Sequence, residues 1–239
     1  MKKAIIFLVT LVTILSCDQN TSSVTPAEDP DWIKIEVPNG REVYAIAGDL
    51  DKTLLVTTWT KAYYSVDKGK TWQESKDFNG PVPGLLVRND TTFSMEARSF
   101  DQQGKLLGSS LIHYFTTDYG KNWKSYFKFY KEYMDTIKPV GMVKSAEGII
   151  YTIKENKTPT APGSSSYYIN PGEIVKQNGL SQSLVRFPYK LNLMNLHLDT
   201  QGRLYVAASG GSYQPERNTF YCCPENLPGI IYVSKRRIP

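Results

Sequence analysis

The sequence predicts an all-β chain made of about four copies of one four-stranded unit, and three observations predict it. A ten-residue pattern occurs twice, as YYSVDKGKTW ending at Trp72 and YFTTDYGKNW ending at Trp123, with aspartates 51 positions apart. Short apolar runs recur at Leu54-Leu55-Val56, Leu106-Leu107, Ile149-Ile150-Tyr151 and Leu204-Tyr205-Val206, three of them after the Gly-containing turns QQGK, SAEG and TQGR. Aromatic residues make up 12% of the chain, with 16 Tyr against 9 Phe, a composition that suits strands better than helix bundles. At 239 residues the chain has room for one all-β domain of ordinary size. With 41% hydrophobic and 21% charged residues it is neither disordered nor wholly membrane-embedded.

Taken from the N-terminus, residues 1–16 are an address. Lys2 and Lys3 are followed by a twelve-residue uncharged stretch from Ala4 to Leu15, too short for a membrane span. Its end, Ile14-Leu15-Ser16-Cys17, resembles the lipobox of bacterial lipoprotein precursors. That resemblance implies cleavage before Cys17, acylation of Cys17, and a lipid-anchored protein of the cell envelope, with the outer membrane or cell surface favoured. Residues 17–31 would then be anchor and tether, since DQNTSSVTPAEDPD is polar and carries two prolines. Residues 32–239 form the folded domain. The formal net charge of +5 loses Lys2 and Lys3 on cleavage, and no balance of that size points to nucleic acid.

Within the repeat, each residue type has a physical task. Tyr63-Tyr64 and Tyr114-Phe115 end a strand. Asp67 and Asp118, each two positions after Ser65 or Thr116, can accept backbone N–H bonds in a tight turn. Gly69 and Gly120 permit positive φ, and Trp72 and Trp123 open the next strand with a ring to bury. This pattern resembles the Asp-box, or BNR repeat, of sialidases and related proteins. The resemblance implies a small β-propeller of about four blades, each a four-stranded antiparallel sheet, complete or open. It also makes the eight box positions structural, at the turn between third and fourth strands and remote from the ligand face.

The period extends as follows. First strands are expected at Val43-Tyr44-Ala45-Ile46, at Leu85-Leu86-Val87 or Thr92-Phe93-Ser94, at Val140-Gly141-Met142-Val143 and at Met194-Asn195-Leu196-His197. The four apolar runs are second strands, and third strands end near Tyr64, Phe115, Tyr168 and Tyr232. In the third copy SYYINPG keeps the aromatics and Gly172, but Asn170 replaces the aspartate. The fourth copy reaches Ser234 and has no outer strand of its own. Trp32-Ile33-Lys34-Ile35-Glu36-Val37 is the spare strand, and pairing it with Ile230–Ser234 closes the ring.

Sialidase chemistry needs an Arg cluster, a Tyr nucleophile assisted by Glu, and an acidic residue. Arg41, Arg88, Arg98, Arg186, Arg203, Arg217 and Arg236 show no blade-spaced set, and Arg237-Ile238-Pro239 lies behind both boxes, where the family's Arg-Ile-Pro motif lies ahead of them; its occurrence is read as coincidence. His113 and His197 fall inside expected strands as structural histidines. With 2 His and 3 Cys, no metal site and no cofactor is expected. The ligand face carries the loops between second and third strands and the blade-to-blade connections. Its candidates are Trp59, Tyr213, Arg217 and Tyr221, with a twenty-residue insertion at Ser209–Pro228 and an aromatic connection from Tyr126 to Tyr133, the latter weighed equally as core cover. Cys222-Cys223 suits a vicinal disulfide, with two free thiols or a metal contact as the alternatives.

The functional expectation is a non-catalytic, lipid-anchored binding protein for an extracytoplasmic glycan or an envelope protein. Two alternatives stand beside it: a divergent glycoside hydrolase using carboxylates such as Asp49, Glu96 or Glu216, and a structural scaffold of an envelope complex.

Overall fold

The computed structural model describes residues 29–102, 104, 106–126, 136–221 and 227–238. Cys17, Cys222, Cys223, most of the Tyr126–Tyr133 connection and the proposed leader lie outside them. Four antiparallel sheets of four strands form a β-propeller. The chain enters through β1 (Trp32–Val37), which belongs to the last blade. Blade 1 is β2 (Ala45–Gly48), β3 (Leu54–Thr57), β4 (Lys61–Ser65) and β5 (Gln73–Asp77). Blade 2 is β6 (Gly84–Arg88), β7 (Thr91–Phe100), β8 (Leu106–Thr116) and β9 (Lys124–Ser125). Blade 3 is β10 (Met142–Lys144), β11 (Ile150–Pro159), β12 (Tyr167–Asn178) and β13 (Ser181–Leu184). Blade 4 starts with β14 (Leu193–Leu198) and β15 (Leu204–Ala208). A separate hairpin, β16 (Ser212–Gln214) and β17 (Thr219–Tyr221), precedes β18 (Gly229–Ser234).

Blade 4 is closed as the sequence predicts. β1 runs antiparallel to β18 from Trp32 opposite Ser234 to Val37 opposite Gly229. Position in the blade explains composition. Every residue of β15 (LYVAA) and β18 (GIIYVS) is buried, because blades pack on both faces of a middle strand. Outer strands read differently: β5 (QESKD) and β13 (SQSL) have no buried residue.

Four expectations shift. The first strands of blades 1 and 3 begin two residues later than expected, at Ala45 and Met142. Leu106-Leu107 opens the third strand of blade 2, not the second. The reason is a two-residue hairpin at Asn89-Asp90, both with positive φ, which turns Thr91–Phe100 back on β6 as a second strand. In blade 3, Tyr168 stands near the start of the third strand; Asn170 and Gly172 lie inside twelve-residue β12, whose turn comes at Gly179-Leu180. The second strand of blade 3 runs on through Lys154 as far as Pro159.

Candidate binding face

The two matched turns fold alike, bond for bond. Ser65 Oγ accepts the Gly69 N–H at 2.9 Å, and Asp67 accepts the Thr71 N–H at 2.9 Å and the Thr71 hydroxyl at 2.6 Å. Thr116, Asp118, Gly120 and Asn122 repeat the set at 2.9, 2.9 and 2.7 Å. The hydroxyl and N–H of Thr71, with Ser65, hold the Asp67 carboxyl down at about 2. Gly69 and Gly120 have φ of 78° and 87°, and a Cβ there would stand 2.5 Å from Ile35 and 2.3 Å from Leu55 of the preceding blade. Glycine therefore serves backbone conformation and blade spacing at once.

Each turn aims its tryptophan at the blade before it. Trp72 donates from Nε1 to the Glu36 carbonyl of β1 at 2.9 Å, and Trp123 to Ser75 Oγ of β5 at 3.2 Å. A third such clasp is assembled from the two ends of the described chain. Ser234 ends β18 as Ser65 ends β4, while Asp29 accepts the N–H of Asp31 at 2.8 Å. Asp31 precedes Trp32 as Thr71 precedes Trp72, but the bond spans two residues where that of Asp67 spans four. Trp32 follows, buried, and donates to the Arg186 carbonyl at 3.1 Å, just beyond β13. Its ring meets Phe187 edge to face at 5.1 Å. The sequence supplies Trp32–Val37 as the strand that completes the fourth copy, and the structure adds Asp29 to the turn ahead of it.

Three seams are thus clasped, and three apolar clusters run across them. One joins Ile35, Tyr205 and Ile231 of blade 4 to Ile46, Leu54 and Val56 of blade 1. Another joins Leu55 and Phe78 to Leu85, with Trp123 against it. A third joins Tyr151 and Ile174 of blade 3 to Leu196 and Tyr232 of blade 4. The fourth cluster, Phe93, Met95, Ile112 and Tyr126, stays within blade 2 and its connection. Among the described residues, blades 2 and 3 are joined instead through Ser109, whose backbone exchanges two 2.8 Å bonds with Lys138 ahead of β10.

The axis of the ring is polar. Asn195, in β14 and 7% exposed, donates to the Tyr44 carbonyl at 2.8 Å and the Pro83 carbonyl at 3.2 Å. Its Oδ1 accepts the Gly141 N–H at 2.8 Å. Those three groups stand just ahead of β2, β6 and β10, so one amide ties all four blades where the inner strands begin. Two positions on, His197 Nε2 bonds the Gly48 carbonyl at 2.9 Å, and burial with the nearby Lys138 charge pushes the imidazole down to about 4. The Lys138 ammonium bonds the Leu85 carbonyl, and burial lowers it to about 8. Both expected structural histidines have partners: His113 Nδ1 is 2.7 Å from Glu96.

At the opposite end of the axis lies an ion cluster bridging blades 4 and 1. Arg203 meets Asp199 at 2.7 Å, Asp49 at 2.8 Å and Asp51 at 2.9 Å. Burial pushes the Asp199 carboxyl up, but the Arg203 backbone, its guanidinium and the Tyr205 hydroxyl outweigh it and hold the group low. The carboxylates considered for glycoside chemistry are not assembled into one pair. Asp49 belongs to this cluster, Glu96 to His113, and Glu216 to the 3-10 turn Pro215–Arg217 between β16 and β17.

The face that carries Tyr44, Pro83 and Gly141 opens into a cleft of about 620 Å³ at the unclasped seam. Arg98, Phe100 and Leu106 of the β7–β8 hairpin form one wall; Ile153, Glu155 and Lys157 of β11 form the other; Leu193 and Met194 lie between. Phe100 is 55% exposed. A smaller pocket of about 90 Å³ shares Ile153, Glu155, Lys157 and Leu193 with it and adds Asn170, whose Oδ1 is buried without a hydrogen-bond partner among the described residues. The Arg98 guanidinium lies 5.6 Å from the centre of the Tyr44 ring, and Tyr44 in turn meets exposed Trp59 at 6.0 Å.

The expected ligand-face residues divide. Trp59 joins the cleft through Tyr44 and Arg98. Tyr213, Arg217 and Tyr221 sit on the β16–β17 hairpin, where β17 packs on β12. Tyr213 is half-buried against Phe220 and bonds Asn218 at 2.7 Å, whereas Arg217 and Tyr221 are exposed. Sequence reasoning missed Arg98, Phe100 and Ile153, because they lie on strands that outgrow their blades. The lengths of β7 and β11, both ten residues against four in β3, are the signal that finds them.

No family model and no curated protein matches the chain. Solved structures of similar chain path include YCF48 from Cyanidioschyzon merolae, at 10% identity over 85% of this chain and 98% of that one, TM-score 0.39. YCF48 bound to D1 peptide matches at 13% identity over 87% and 97% of the two chains, TM-score 0.35. A putative gluconolactonase matches at 12% identity over 77% and 71%, TM-score 0.26.

Proposed function

We propose that the protein is a non-catalytic binding module held at the bacterial cell envelope by lipid on Cys17, with its ligand taken on the face that carries Trp59 and the cleft. The observation that carries this reading is the difference between the seams among the described residues: three are filled and clasped, and the fourth opens between two overlong hairpins into a cleft lined by apolar and charged side chains alike. A concave site that combines apolar side chains with a few charged groups is the usual form of a recognition surface. The polar groups of the axis and of the Arg203 cluster are engaged in holding blades together, which leaves the cleft as the place for a partner. The matched turns serve stability on the opposite face, as their resemblance to Asp-boxes implies.

Photo-crosslinking tests the face. Benzoylphenylalanine replaces Phe100 at the cleft or, as the control, Val66 on a matched turn, which is 57% exposed. Adducts are expected in the source cells from position 100 and not from position 66; equal labelling would refute the assignment of the face. Palmitate labelling that persists in Cys17→Ala would refute the anchor.

A further inference from the structure

Resting on the reading of the cleft as the binding site, we propose that its ligand is an extended segment of a protein partner that carries a carboxylate for Arg98. The walls supply the first argument. Among the described lining residues Phe100 is the one ring; Leu106, Val140, Ile153, Leu193 and Met194 are aliphatic or thioether side chains, and Arg98, Thr152, Glu155 and Lys157 are polar. Glycans stack on aromatic platforms, whereas such a lining accepts Val, Leu or Ile of a polypeptide.

Charge is the second argument. Glu155 is neutralised by Lys157 at 2.6 Å, so the lining carries the Arg98 cation in excess. The Arg98 guanidinium lies 5.6 Å from the centre of the Tyr44 ring, and among the described residues it makes no ion pair with a carboxylate. A planar guanidinium offers its N–H fork to a ligand carboxylate.

Backbone is the third. β6 pairs with β7 as far as Met95, and β10 with β11 as far as Thr152. From Glu96 to Phe100, and from Lys154 to Pro159, the two strands that bound the cleft have a strand neighbour on one side only. Unpaired strand edges beside a cleft are the arrangement that recruits an added strand, with alternate ligand side chains entering the cleft. Asn170 Oδ1, buried and unpartnered at the blade 3 wall, is an acceptor for an N–H of the incoming chain.

The test uses the full chain and three labelled nonapeptide pools with Glu, Gln or Lys fixed at the centre and Val, Leu, Ile and Thr mixed at the flanks. The Glu pool is expected to bind about tenfold tighter than the Lys pool, and Arg98→Gln to erase that preference. N-methylation at alternate positions of the Glu pool is expected to weaken binding by about tenfold or more, because it removes main-chain donors. Equal binding of Glu and Lys pools, a preference that survives Arg98→Gln, or indifference to N-methylation would overturn the inference. Ile153→Lys separates the two levels. If charge and N-methylation are immaterial but Ile153→Lys abolishes binding, the cleft stands as the site and the acidic strand falls. If the pools bind Ile153→Lys undiminished, both fall. Absence of binding by all pools at millimolar peptide also overturns the inference, and the crosslinks from position 100 then decide the wider reading on their own.

Discussion

The seam between blades 4 and 1 and the seam between blades 2 and 3 are made of the same four-stranded units, yet they are held by different means. At the first, Trp72 caps β1, an apolar cluster crosses from Tyr205 to Val56, and Arg203 reaches Asp49 and Asp51 on the neighbouring blade. At the second, blade 3 has a two-residue turn in place of the long turn with its tryptophan, and β9 is two residues long. The difference teaches that in a ring of few blades the clasps can be distributed unevenly, and among the described residues the cleft opens at the seam that lacks one. The strands bordering it also grow: β7 and β11 extend past their inner partners and become the walls.

The largest way to break the contrast is to cut the filled seam. Arg203→Leu strands Asp49 and Asp199 in a buried site, and a loss of about 3–5 kcal/mol in urea unfolding is expected. Next comes Trp32→Ala, which empties the fully packed third clasp and should cost about 3–5 kcal/mol. Trp72→Ala, at a more exposed clasp, should cost less than Trp32→Ala; an equal or greater loss would show that the split turn is not a working clasp.

pH gives a smaller and signed effect. His197 is held near 4 in the fold against an ordinary 6.5, so its neutral form stabilises above 6.5 and that contribution drains away as pH falls toward 4. Lys138, near 8 against an ordinary 10.5, acts as a base with a lowered pKa too, so stability rises between pH 8 and 10.5 as the unfolded chain alone still holds its proton. Thermal melts of Lys138→Met should lose the alkaline rise and keep the acid fall. Smallest is Asp118→Ala, which removes three bonds from one exposed turn and is expected to cost about 1 kcal/mol without altering binding at the cleft.

Much of this was legible in the sequence, for reasons that are local. The matched turns could be read because Ser/Thr, Asp, Gly and Trp each do one task at a fixed spacing. The closure strand could be read because Ile33, Ile35 and Val37 alternate with the charged Lys34 and Glu36, as in a strand with one face outward. The third clasp could not, since Asp29 and Ser234 stand at opposite ends of the chain and their relation exists only once β1 pairs with β18. Asn195 gave a faint signal, one amide within an apolar run, but its role as a tie to four blades depends on where three other inner strands begin. Leu106-Leu107 misled because periodicity identifies a strand without saying which one. The turn that settles the matter, Asn89-Asp90, carries no glycine.

Hydrogen exchange under native conditions tests the central claim most directly. If three seams are clasped and one is open, amides of β15 and β18 should exchange only through global unfolding. Those of Lys154–Thr158 in β11 and Ala97–Phe100 in β7 should exchange through a smaller opening of lower free energy. Uniform protection across all four blades would contradict the account.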